Sequence, residues 1–174
     1  DLQLAQEGAR VIKARYSFAR ELKAFAAGKH LTLSSGREEL SLEYESDVPD
    51  GEEKQIEEAL LSRLFLSYDK DCALQYTTVG PHKDDIKISL SGVDVRKFGS
   101  QGQQRTAALS LKLAEISLFT DNTGEQPVLL LDDVLSELDK DRRATLLEET
   151  SLLQTIITCT EYEESAAANI IKTR

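Results

Sequence analysis

The 174 residues carry 31 Asp and Glu against 21 Lys and Arg, a formal net charge of −10, which argues against a surface uniformly built to coat nucleic acid. With 40% hydrophobic and 30% charged residues, the chain can bury a sizeable core in no more than two small domains. No apolar run approaches the ~20 residues of a membrane span, no signal peptide is read, and Cys72 and Cys159 are too isolated for a disulfide framework or metal site, so a cytoplasmic protein with reduced thiols is expected.

An amphipathic helix is predicted over about residues 3–27. Leu4, Val11, Phe18 and Phe25 recur at seven-residue spacing, and Ala14 and Leu22 complete an apolar stripe. Arg10, Lys13, Arg20 and Lys23 project from the other side, as either a solvated face or a weak phosphate-contacting surface for DNA. Residues 1–36 hold six basic side chains against three acids, net +3, whereas residues 37–58 hold ten acids against Arg37 and Lys54, net −8. That acidic segment keeps DNA away or meets a basic partner. Leu31–Leu33 and Leu40–Tyr44 read as hairpin strands around Ser34-Ser35-Gly36. After a break at 47–51, a helix over about 52–68 is predicted to bury Ile56, Leu60, Leu61, Leu64 and Phe65. Gly80-Pro81 breaks the chain again. Alternation at Ile86, Ile88 and Leu90, with a turn at Ser91-Gly92 toward Val93–Val95, predicts a second hairpin. His30 and His82 read as structural.

Phe98-Gly99-Ser100-Gln101-Gly102-Gln103 opens a long, mostly apolar helix running to about Phe119. Ser100 and Gln103 are spaced as a capping box, so the helix starts near Ser100. Gly99 and Gly102 would let backbone N–H groups approach an anion, and the first turn adds the positive end of the helix dipole. Val128–Leu131 has no polar alternation and reads as a strand of a parallel sheet, buried on both faces. It ends in Asp132 and Asp133, where open α/β sheets place their ligands. On that strand alone, the acids could equally just end it and cap the next helix. Asp139 can cap a helix to about Glu149, and Gln154–Thr158 is a last core strand.

Taken together, these segments resemble ATP-binding-cassette ATPases. Ser100, Gln101, Gly102 and Gln103 look like the signature motif, with Gln101 where most members carry Gly. Leu129–Asp133 looks like Walker B, and Ser136–Asp139 like the D-loop. Within that superfamily Thr78–Asp85, Gly99–Thr106 and Gly36–Ser46 closely resemble the RecF family of bacterial recombination mediators, related to the SMC-type DNA-repair ATPases. The resemblance covers most of the chain. It implies a mixed α/β fold, the carboxyl-terminal part of an ABC-type ATPase head. Residues 1–76 would form an incomplete, lobe II-like helical and β-hairpin subdomain, and residues 77–174 the part with signature, Walker B and D-loop.

The resemblance also implies roles. ATP and Mg²⁺ are the expected cofactors, with Asp132 on Mg²⁺ and Asp133 as the catalytic carboxylate. Ser100 to Gln103 would bind the nucleotide of a partner molecule, and Ser136 and Asp139 would form the D-loop. Expected partners are DNA at single-strand/double-strand junctions, RecR and RecO, and a second copy in an ATP-dependent homodimer; no membrane is involved. Two features modulate this expectation. No G-x-x-x-x-G-K-[ST] occurs in the 174 residues, so the phosphate cradle is absent from them. After the last strand stand Thr158-Cys159-Thr160, where transporter-type cassettes carry a His, and Asp133 replaces a longer Glu. A slow hydrolytic switch is expected. The alternatives are another SMC-like ATPase head, which should show a long coiled coil between its halves, or a DNA- or protein-binding module that keeps only the fold.

Overall fold

The structure is a computed structural model and describes residues 1–160. Its spine is helix α1 (Leu2–Leu33), 32 residues without a proline. The face that α1 buries is Ala5, Ala9, Ile12, Ala19, Leu22 and Ala26, ending in His30 and Leu33. This lies one position after the predicted stripe. Leu4, Val11 and Phe18 are 56%, 41% and 44% exposed, Phe25 is partly buried, and of the predicted set only Leu22 is fully inside. The reason is size. Alanines on the buried face let neighbouring helices approach closely, and a Cβ at Gly8 would sit 2.6 Å from Leu60 Cδ2.

Helix α1 also runs past its predicted end and absorbs Leu31–Leu33, burying Leu33. The expected hairpin of 31–33 with 40–44 therefore does not form. A turn with positive φ at Ser35 and Gly36 closes the helix, Gly36 N–H donating to Leu31 C=O at 2.8 Å. Strand β1 (Leu40–Glu45) then pairs antiparallel with β2 (Asp85–Leu90), matching Leu40 to Leu90 and Tyr44 to Ile86. The second hairpin is as expected: β2 turns through Ser91 (φ 47°) and Gly92 (φ 83°) into β3 (Val93–Asp94). Between β1 and β2, helix α2 (Glu53–Leu74) extends six residues beyond its predicted end. It buries Ile56, Leu60 and Leu64, while Phe65, expected inside, is 77% exposed.

The remaining elements are α3 (Val95–Phe98), α4 (Gln101–Thr123), β4 (Leu129–Asp132), a 3₁₀ turn (Val134–Glu137), α5 (Lys140–Glu149) and β5 (Thr155–Thr158). Strands β4 and β5 are parallel, with Leu129 opposite Thr155 and Asp132 opposite Thr158. Leu129 and Leu131 are buried, whereas Val128 and Leu130 are 49% and 69% exposed. Only one face of this strand is covered among the described residues.

Three apolar clusters share the spine. One joins α1 (Ala19, Leu22, Ala26) to the antiparallel sheet and to Ala107, Ala114 and Leu118 of α4. The second sets Leu109 and Leu113 of α4 on Leu129, Leu131, Leu135 and Leu146. The third joins Ala5, Ala9 and Ile12 to α2. Both the β1–β2 ladder and the first cluster span the division expected after residue 76, so α4 is fixed from two sides.

Candidate nucleotide site

Helix α4 begins as its sequence predicts. Ser100 Oγ accepts from Gln103 N–H (3.3 Å), and Gln103 Oε1 accepts from Ser100 N–H (2.8 Å). The cap uses the Ser100 oxygen as an acceptor and leaves its O–H able to donate. The first-turn amides of Gln101 and Gly102 have no acceptor among the described residues. One hydroxyl and two backbone N–H groups thus stand at the positive end of a 23-residue helix, where the dipole favours an anion. Gly99, expected to open the backbone to an anion, instead serves the turn before this start: its N–H is taken by Val95 C=O (3.0 Å), and a Cβ there would lie 2.5 Å from that oxygen. At Gly102 a Cβ would be 3.4 Å from Arg142 Nη1 of α5.

Asp132 is the last residue of β4, and Asp133 follows with φ 50° and ψ 20°, a left-handed conformation that Asp tolerates better than most residues. Thr158, ending the neighbouring strand, ties both. Its hydroxyl donates to Asp132 Oδ1 (2.5 Å) and accepts from Asp133 N–H (3.0 Å). The other Asp132 oxygen and both Asp133 carboxylate oxygens have no partner among the described residues. The sequence marked Thr158 for its place after the strand; its bridging of the two acids depends on the parallel register and could not be read from spacing.

Ser136 Oγ donates to Asp133 C=O at 2.8 Å. Asp139 caps α5, accepting from Arg142 N–H at 3.0 Å, and this bond, with Arg142 and Arg37 nearby, holds its carboxyl below the usual range against a modest opposing effect of burial. Arg105 of α4 reaches Glu137 at 3.0 Å, so an ion pair joins the helix carrying Ser100 to the turn after the acid pair.

The basic face of α1 meets the acidic segment. Arg10 pairs with Glu7 (3.0 Å) and Glu53 (3.4 Å), Lys13 with Glu52 (3.1 Å), and Arg20 with Asp50 (2.5 Å). Lys23 is exposed and has no ion-pair partner among the described residues. The opposite net charges of residues 1–36 and 37–58 were the available signal for this folding-back. Cys72 and Cys159 are exposed free thiols, and among the described residues no His/Cys/Asp/Glu cluster could hold a metal by itself and no helix is long and apolar enough to cross a membrane.

His30 is fully buried. Nδ1 lies 3.0 Å from Ser110 Oγ and Nε2 3.4 Å from Glu38 Oε2. Burial pushes its pKa below the ordinary 6.5, more strongly than Glu38 raises it. The unfolded chain therefore takes up this proton first. Its contribution to stability is complete above pH 6.5 and is lost as pH falls below that value. Urea unfolding midpoints are expected to drop as pH falls from about 6.5 to 5, and His30→Gln is expected to flatten that drop. An unchanged slope in His30→Gln would assign the acid sensitivity elsewhere. The depressed carboxyls of Asp71, Asp85 and Asp139 act in a separate window, below their ordinary 3.8.

No family model matches the chain. It is 48% identical over 164 residues to the DNA replication and repair protein RecF of Lachnoclostridium phytofermentans, covering 94% of this chain and 44% of that protein. It is 51% identical to RecF of Agathobacter rectalis over 164 residues, 94% of this chain and 43% of that one. Among solved structures, the recombination mediator protein RecF-ATP in the RecFOR pathway aligns with TM-score 0.81 at 40% identity, over 94% of this chain and 44% of that one. RecF-ATPrS aligns with TM-score 0.80 at 40% identity, over 92% and 44%. The chain spans less than half the length of the relatives it matches.

Proposed function

We propose that this chain, which is similar to the carboxyl-terminal part of RecF, supplies the signature helix and acid pair of an ATP-gated, DNA-binding recombination mediator. Its activity belongs to the longer protein and to a dimer of it. Ser100, with the first-turn amides at Gln101 and Gly102, binds the γ-phosphate of ATP held by a second copy, and Gln103 keeps Ser100 capped. Asp132 and Asp133 act in their own subunit's site. Asp132 has a carboxylate oxygen at a strand end with no partner among the described residues, the hard-oxygen donor that Mg²⁺ takes alongside waters and phosphates, and the ion would neutralise phosphate charge there. Asp133, its carboxylate without a partner among the described residues and its backbone fixed by Thr158, orients the attacking water and accepts its proton. Closing the dimer completes the site, because positioning and electrostatics carry most of phosphoryl transfer. Hydrolysis reopens it.

The D-loop residues Ser136 and Asp139 shape the turn that follows the acids. DNA at single-strand/double-strand junctions, with RecR and RecO as partners, is the setting in which such a switch would help load recombinase during cytoplasmic DNA repair and replication. Lys23, with Arg10, Lys13 and Arg20 where DNA phosphates displace their acidic partners, is the weak contact on α1.

The observation that carries this reading is the capped start of α4, whose hydroxyl and first-turn amides face no acceptor among the described residues. A direct consequence concerns the 174 residues alone. They lack the Gly-rich loop and its Lys, so Mg·ATP is expected to bind no tighter than about millimolar, with negligible turnover. Calorimetry on the purified chain checks this, and micromolar binding would reveal a nucleotide site elsewhere in the chain.

A further inference from the structure

The first turn of α4 is held from behind by one imidazole. On one side, Gln103 Nε2 donates to Glu38 Oε1 at 2.7 Å, and Glu38 Oε2 faces His30 Nε2 at 3.4 Å. On the other, His30 Nδ1 meets Ser110 Oγ at 3.0 Å. Ser110 Oγ also lies 2.7 Å from Thr106 C=O, and Thr106 Oγ1 donates to Gly102 C=O at 2.7 Å. His30, Thr106 and Ser110 are fully buried, and the Glu38 side chain is 20% exposed. Both nitrogens of His30 therefore lead, by separate chains of polar contacts, to residues 100–103.

The Glu38 arm has a particular consequence. Gln103 can cap Ser100 N–H only if its amide is turned with Oε1 toward that N–H, and the bond from its Nε2 to Glu38 enforces this orientation. With Gln103 fixed, Ser100 Oγ accepts from Gln103 N–H and its O–H stays able to donate. We propose that Glu38, backed by His30, is a positioning residue that sets Gln103 and thereby pre-organises the Ser100 hydroxyl for the partner's nucleotide. Helix α1 and the loop before β1 are thus coupled mechanically to the ATP-dependent interface. The inference rests on the in-trans role of Ser100.

The test uses full-length protein carrying this sequence, with sedimentation in a non-hydrolysable ATP analogue as readout. Glu38→Ala is expected to weaken ATP-dependent dimerisation about tenfold, the worth of one hydrogen bond to a charged group, while monomer ATP affinity changes less than about twofold. Gln103→Ala should weaken dimerisation at least as much, since it also removes the bond to Ser100 N–H, and the double variant should be no worse than Gln103→Ala alone, because Glu38 acts only through Gln103. Glu38→Gln should restore dimerisation, because its oxygen still accepts from Gln103 Nε2. A Glu38→Ala protein that dimerises normally overturns the proposal, as does failure of Glu38→Gln to rescue. Should Glu38→Ala unfold, Gln103→Ala decides, and normal dimerisation there overturns it equally. Ser100→Arg separates the two levels. If it blocks dimerisation while Glu38→Ala does not, only the positioning role falls; if it too dimerises normally, the in-trans reading itself has failed.

Discussion

Asp133→Asn, in full-length protein carrying this sequence, is expected to abolish ATP turnover, by about 10²-fold or more, while ATP still binds and the dimer stays closed. The structure makes this substitution unusually clean. Asn, like Asp, tolerates the left-handed backbone found at residue 133. The two backbone bonds from residue 133 to Thr158, 3.0 Å to the hydroxyl and 3.1 Å to the carbonyl, do not involve the side chain. What would be lost is the ability of the carboxylate, which has no partner among the described residues, to take a proton. Asp132→Asn should behave differently, weakening the Mg²⁺ dependence, since a neutral amide is a poorer ligand for a hard cation. Steady-state hydrolysis measures both, and unchanged turnover in Asp133→Asn would remove that residue from the chemistry.

The second large effect is at the helix start. Ser100→Arg removes the side-chain cap, a loss on the order of 1 kcal/mol. It also sets a long cation where the partner's nucleotide would dock. Helix α4 should survive it, because the helix is packed into two separate apolar clusters through Ala107, Ala114 and Leu118 on one side and Leu109 and Leu113 on the other. Monomer ATP binding should be largely intact, and ATP-dependent dimerisation and turnover should be blocked. A melting temperature close to the parent's, with dimerisation lost, is the expected pair of results.

Much of this site was legible in the sequence because its signals are local. The capping box at Ser100 and Gln103 is a four-residue pattern, and the structure forms both of its hydrogen bonds. The Val93 hairpin followed from Ser91-Gly92, whose positive φ values suit a two-residue turn. The Asp139 cap likewise needs only its neighbour Arg142. The misreadings came from non-local competition. Leu31-Thr32-Leu33 alternates over too few residues to distinguish strand from helix, and burial of Leu33 in the apolar cluster it shares with α4, β4 and α5 decided for helix. The α1 stripe was weighed by large side chains, yet alanines won the inner face because three clusters crowd around one helix. Glu38 gave no signal, its partner Gln103 lying 65 positions away.

In the proposed dimer the signature helix of one molecule completes the nucleotide site of another, and mixing two inactive variants shows whether it does. Full-length Ser100→Arg keeps a working phosphate loop, and a variant lacking the phosphate-loop Lys keeps a working signature helix; each alone should be inactive. Neither variant closes a dimer with itself, so the dimers that form in an equimolar mixture are mixed, each with one composite site of two, and ATP turnover should return to at most about half of the parental rate. A mixture as inactive as its components, with mixed dimers verified by sedimentation, would contradict the claim and leave α4 as part of the core alone.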